Sequence, residues 1–154
     1  MANLIGRNVI NRCLERGYDI NTLKLEKLLI VMQGVTLAGT GKSMFNEAIV
    51  PSKTGGLRIK EVYQEFIANG MVFDEEVDEW IVLLERQESV VDSVLNKCGE
   101  LNAFDISEKY GLNKLNNQLL QDGITDKNII NGMLMGMFEK RVCLKDDKLP
   151  YMEY

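Results

Sequence analysis

Histidine is absent from this 154-residue chain. That one absence removes Ser-His-Asp and Cys-His catalysis, imidazole metal ligation and histidine-based pH switching. Proline is scarce as well: only Pro51 and Pro150 occur, so little interrupts a helical backbone. No apolar run reaches the roughly 20 residues a membrane span needs, and the opening MANLIGRNVINR lacks the basic-then-apolar order of a signal peptide. A cytoplasmic location is expected. The three cysteines, Cys13, Cys98 and Cys143, are far apart with no CxxC pair, so neither a disulfide framework nor a zinc knuckle is indicated. They read as small buried hydrophobes in a reducing compartment. Positive charge is in deficit, with 18 Lys plus Arg against 23 Asp plus Glu and a net charge of -5. Such a field repels phosphate backbones and anionic membranes, so general nucleic-acid binding and membrane association are not expected.

What is present is an ordinary globular composition, 45% apolar and 27% charged, at a length that fits one domain. Apolar residues recur mostly at spacings of three and four. The fold class expected is mainly α: a compact single-domain helical bundle of about six or seven helices, with room for one short strand or hairpin in the 39–58 loop, around Glu47 to Val50. Ile5, Val9 and Cys13 define the first helix, stopped at Arg16-Gly17. Asn21 or Thr22 caps a second helix, in which Leu25, Leu28, Leu29, Met32 and Val35 form a stripe. Ile30 and Val31 make this helix apolar nearly all round, so it should be central and buried. Ile59, Val62, Tyr63, Phe66 and Ile67 give a third helix ending at Asn69-Gly70.

From Asp74 the register of Val77, Ile81, Leu84, Val91, Leu95 and Cys98 predicts helix through Lys97, with a break near Glu88 if Ser89 restarts it. Asn102, then Asn113 to Gln121, then Thr125 or Asp126 open three shorter helices separated by Gly111 and Asp122-Gly123. Residues 1–139 are the expected helical domain and 140–154 a surface tail.

Gly39-Thr-Gly41-Lys42-Ser43 ends like a phosphate-binding loop, but Thr36 stands where the first glycine belongs, and an apolar helix precedes it instead of a strand. It reads instead as a glycine helix stop with Lys42 at the negative helix end. Gly132 and Gly136 form a small-xxx-small pair among Met133, Met135 and Met137. That pair suggests close helix packing or, alternatively, an adaptable methionine surface for a protein partner. Adjacent acids such as Glu75-Glu76, Asp78-Glu79 and Asp146-Asp147 point about 100 degrees apart on a helix and do not converge on one ion, so no metal or other cofactor is expected. Trp80 reads as a core anchor.

Asn21-Thr-Leu-Lys24-Leu25-Glu26-Lys27-Leu28-Leu29, followed by Gln33-Gly34, Leu37, Gly41-Lys-Ser-Met44-Phe45 and Glu47-Ala48, resembles the opening of the SocA-like antitoxin family, also called the Panacea domain. That family has a T-x-x-K-L-x-K-L-L helix leading into a G-x-x-L/M-F turn. Gly56 and Val62-Tyr63 stand in its W-x-x-G-P-V-x-x-x-V-Y segment, and Val91 to Ala103 is similar to its L-x-x-V-x-x-x-Y-G-x-L-S-A helix and turn. The departures are Lys53 for the tryptophan, Leu57 and Arg58 for Pro-Val, Cys98 for the tyrosine, and no counterpart of a later Thr-His pair.

The resemblance implies a Panacea-like domain over 1–139 and a non-enzymatic protein that binds another protein. Members are typically antitoxins that neutralise a toxin by direct contact, and in one branch adaptors that deliver it to a protease. Such domains also travel on phages, so the alternative is a phage-borne inhibitor acting on a host defence protein. The expected contact surface is Lys53, Leu57 and Arg58 with Tyr63; Met133, Met135 and Met137 are the alternative.

Overall fold

The computed structural model describes residues 1–67, 72–78, 81–145 and 148–154. Among these, the element order is α1 (Ala2–Glu15), α2 (Thr22–Thr40), α3 (Lys60–Phe66), α4 (Glu85–Cys98), α5 (Ala103–Lys109), α6 (Leu112–Asp122), α7 (Lys127–Phe138), β1 (Val142–Leu144) and β2 (Pro150–Met152). The fold is mainly α, as the apolar spacing predicts. Everything is organised around α2, which touches α1, α3, α4, α5, α7 and both strands. All its residues from Lys24 to Leu37 are buried. Asn21 caps it by accepting from the Lys24 N–H at 2.8 Å. It stops at Gly41, whose φ of 74° only glycine adopts without strain. Leu25, Leu28, Leu29 and Met32 are fully enclosed. Leu28→Ala should therefore lower stability by about 2 to 5 kcal/mol in urea unfolding, through lost transfer energy plus a cavity; a loss under about 1 kcal/mol would mean the site collapses around the smaller side chain.

The first helix also follows its pattern. Ile5, Val9, Ile10 and Cys13 are buried, and Gly17 adopts φ 74° just after the helix end. On its outer side Arg12 pairs with Glu88 and, at 2.9 Å, with Asp92, while Arg16 reaches Asp92 at 2.7 Å. These pairs fasten α1 to α4. Asn102 and Asp126 cap α5 and α7 by accepting backbone N–H bonds, and Gly111 and Gly123 take positive φ between the short helices.

The segment before α4 differs from expectation. Helix was predicted from Asp74; in the structure residues 72–78 and 81–84 are irregular and α4 begins at Glu85. Side-chain amides of α1 take the backbone groups a helix would use internally. Asn11 Nδ2 donates to Val77 O at 2.9 Å and its Oδ1 accepts from Val77 N at 2.8 Å, while Asn8 Nδ2 donates to Ile81 O at 2.9 Å. The acid run adds like-charge i,i+4 pairs, Asp74 with Asp78 and Glu75 with Glu79, which oppose helix. Leu84, assigned to the buried stripe, is exposed, and Leu83 is buried in its place. There is no restart at Ser89, which lies inside α4. The Asn69-Gly70 stop and Trp80 lie outside the described residues, as does the Asp146-Asp147 pair.

The last fifteen residues are a second correction. β1 and β2 pair antiparallel with Val142 opposite Met152 and Leu144 opposite Pro150. Pro150 and Met152 are buried, and Met152 N donates to Ser93 Oγ at 3.0 Å. The segment read as a surface tail is thus a hairpin that closes the core over α2 and α4. Gly39 makes this approach possible, because a Cβ there would sit 2.5 Å from the Pro150 Cβ. In the 39–58 loop, where a strand or hairpin was expected, the described backbone forms a single bridge between Val50 and Arg58. Cys13 and Cys98 are buried and Cys143 half-buried, all as free thiols. Among the described residues no helix is long and apolar enough to cross a membrane.

Candidate protein-interaction surface

Two polar side chains on the apolar central helix, Lys27 and Glu26, shape the loop 50–58, and a third, Gln33, holds the chain before it. Lys27 donates from Nζ to the carbonyl of Gly55 and, at 2.7 Å, to that of Leu57. Glu26, with no solvent exposure, accepts from Arg58 Nε at 2.9 Å, Arg58 Nη2 at 2.8 Å and Ile59 N at 3.0 Å. Further along, Gln33 accepts from Met44 N at 2.7 Å and donates to Phe45 O at 3.0 Å. From α6, the Asn116 carboxamide exchanges a pair of 2.9 Å bonds with the backbone of Ser52. The turn itself runs through Gly55 and Gly56 at φ 85° and 72°, and the Val50–Arg58 bridge closes it with bonds of 2.9 and 2.8 Å. A loop held from beneath at so many points keeps one shape, so little ordering entropy would be lost if it bound a partner.

The four residues expected to meet a partner fall into different environments. Lys53 is exposed at the loop tip and Tyr63 is exposed on α3. Arg58 lies with its guanidinium carbon 4.7 Å from the centre of the Tyr63 ring, so these two are brought together. Leu57 is the correction: it is wholly buried in the core, because the Gly55-Gly56 turn directs it inward beneath the loop. Arg58 also differs from expectation, since its principal partner is Glu26 and it is as much a structural as a surface residue.

The alternative surface fares differently. Met133, Met135 and Met137 are half-buried and packed against the core, not displayed as a stripe. Gly132 and Gly136 are exposed and no atom lies within 4 Å of a Cβ placed on either, so they make no close helix packing. Close approach to α7 occurs at Gly34 instead, against Phe138.

Gly39 to Ser43 forms the end of α2, with Gly41 N donating back to Leu37 O at 2.8 Å. The motif therefore sits at a helix C-terminus, whose carbonyl end disfavours anions, the reverse of a phosphate cradle. Among the described residues no group of three or more His, Cys, Asp or Glu side chains is arranged to hold a metal ion. No family model, curated protein or solved structure proved similar to the chain.

Burial draws the Lys27 ammonium down from the usual 10.5 to about 8, against the pull of neighbouring Glu26. A neutral amine still carries two N–H groups, enough for both of its carbonyl partners. Between these two values the unfolded chain binds more protons than the folded one, so the Lys27 contribution to stability rises with pH from about 8 to 10.5. Cys13, pushed up to about 11 from 9.0 by burial, acts oppositely from about pH 9 upward, because the unfolded thiol ionises first. Lys27→Met should therefore remove the rise and leave the fall. Urea midpoints compared at about pH 7.5, 9 and 10.5 should show the wild type gaining on the variant as pH increases. Parallel profiles would show that Lys27 keeps an ordinary pKa.

Proposed function

We propose that this protein is a non-enzymatic binding module that contacts a partner protein through the loop 52–58 and the exposed side of α3. In the cell it acts as an antitoxin-like protein, neutralising its partner by direct contact or serving as its proteolytic adaptor. The supporting observation is the contrast between the two sides of the loop. Lys27, Glu26 and Asn116 tie its inner side, whereas Lys53, Thr54 and Tyr63 are exposed on its outer side and around it. The net charge of -5 would speed encounter with a basic partner such as a toxin acting on RNA or nucleotides, while the loop supplies the short-range contacts.

Co-expression with the neighbouring gene product is the test. Rescue from toxicity with co-purification is expected. Lys53→Ala should weaken the complex while moving stability by less than about 0.5 kcal/mol, as exposed positions usually do, and Tyr63→Ala should weaken it with a stability loss of about 0.5 to 1 kcal/mol from its contact with Arg58. No rescue and no co-purification would remove the antitoxin reading. Normal binding by both loop variants, with loss on changing Met133, Met135 or Met137 in a protein that stays folded, would move the contact surface to α7.

A second reading keeps the same physics with another target, a phage-borne inhibitor of a bacterial defence system. It is favoured by the loop itself, which carries Lys53 where the resembled family has its tryptophan, the change expected once the ancestral target is no longer bound. A block of small phage genes around this one, with pulldown of a defence protein and protection of infecting phage, would support it; a toxin gene next door would support the first.

A further inference from the structure

A cavity of about 530 Å³ opens where the end of α1, the start of α2 and the α4–α5 turn meet, and it shares no residue with the loop 52–58. Its volume lies within the range of small-ligand pockets. The polar groups lining it have a common bias. Asn21 and Asn102 both line it, and both use their side-chain oxygen as a helix cap, accepting from Lys24 N and Asp105 N at 2.8 Å each. Among the described residues neither carboxamide finds a partner for its Nδ2 donor.

The third lining group is Lys24, only 4% exposed. Its ammonium donates to the carbonyls of Asp19 and Gly99, both at 2.6 Å. An ammonium has three N–H groups, so among the described residues one has no acceptor, and no carboxylate there forms an ion pair with it. Burial disfavours this charge and the nearby Asp19 carboxylate offsets that only in part, so the ammonium retains capacity for an anionic acceptor. Tyr18, Val72 and Leu101 supply apolar wall. Arg16 also lines the cavity but is engaged with Asp92 at 2.7 Å. Asp19 and Glu100, exposed acids of the same lining, oppose a polyanion.

We propose that this cavity binds a monocarboxylate attached to an apolar group, either a free acid or a peptide C-terminus. The carboxylate oxygens accept from Lys24 Nζ and from the Nδ2 groups of Asn21 and Asn102. The apolar group lies against Tyr18, Val72 and Leu101.

The test is an NMR titration of the full chain with N-acetylphenylalanine, with N-acetylphenylalaninamide, and with a short neutral peptide ending in phenylalanine. Saturable shifts of the Asn21 and Asn102 side-chain amides are expected with the acid or the peptide, and none with the amide. Tighter binding of the peptide identifies a chain terminus as the source, and tighter binding of the small acid identifies a metabolite-sized ligand. Asn102→Asp keeps the cap, since aspartate caps as well as asparagine, but replaces a donor by a like charge. It should leave the Tm unchanged and weaken carboxylate binding at least about tenfold. Asn21→Asp repeats the test at the other helix and decides the matter if Asn102→Asp lowers the Tm. The absence of saturable shifts, equal binding of the amide, or unchanged affinity in the folded aspartate variant overturns the proposal.

Discussion

Arg58→Met is expected to destabilise the protein by about 3 to 5 kcal/mol near neutral pH, the usual effect of removing one partner from a buried ion pair. Glu26 has no solvent exposure and holds three N–H bonds, two of them from Arg58. Methionine preserves the aliphatic stem that packs beneath the loop but leaves the carboxylate with the Ile59 N–H alone. An orphaned buried carboxylate takes up a proton more readily than one in the unfolded chain. In the variant, the folded state therefore binds more protons than the unfolded state above the ordinary glutamate range, and its stability falls as pH rises through that window. The deficit against wild type should be smaller at about pH 5 than at about pH 7. The double variant Glu26→Gln with Arg58→Met should recover part of the loss, because a neutral amide is far cheaper to bury than a charge. Urea unfolding at the two pH values checks both statements. A deficit below about 1 kcal/mol, independent of pH, would show that water takes the place of the guanidinium.

That expectation separates what the sequence makes legible here from what it hides. The caps at Asn21, Asn102 and Asp126 and the stops at Gly17, Gly41, Gly111 and Gly123 are local chemistry, and the helices lie where these residues set them. The centrality of α2 is equally readable, since a helix apolar on every side has to be enclosed. Three features are non-local and left weaker signals. Asn8 and Asn11 look like ordinary polar positions on α1 until their amides are found holding the chain at Val77 and Ile81. The hairpin at the end has strands of three residues, too short for alternation to stand out. Leu57 and Arg58 lie in a glycine-rich stretch that suggests a free loop. The available clue was on another element: charged Lys24, Glu26 and Lys27 on a helix otherwise built for burial require partners, and the loops around α2 supply them.

Phe138→Ala is expected to lower stability by about 3 to 5 kcal/mol, the upper range for a single core truncation. The ring is fully buried and stacks on Tyr110 at a centroid distance of 5.8 Å with 23° between planes. On another side it meets the bare backbone of Gly34, where an added Cβ would lie 2.4 Å from the ring Cδ2. Glycine at this point of the central helix sacrifices up to about 1 kcal/mol of helix propensity so that α7 can approach. Gly34→Ala alone should therefore still destabilise, by about 1 to 3 kcal/mol, because a phenylalanine enclosed on all sides has no free direction in which to move. Combining the two changes gives the methyl group the space the ring has left. The double variant should then lose less than the sum of the single losses, with a coupling of about 0.5 to 3 kcal/mol. Chemical denaturation of the four proteins closes the cycle, and additivity within about 0.5 kcal/mol would mean that α7 does not seat its phenylalanine on Gly34.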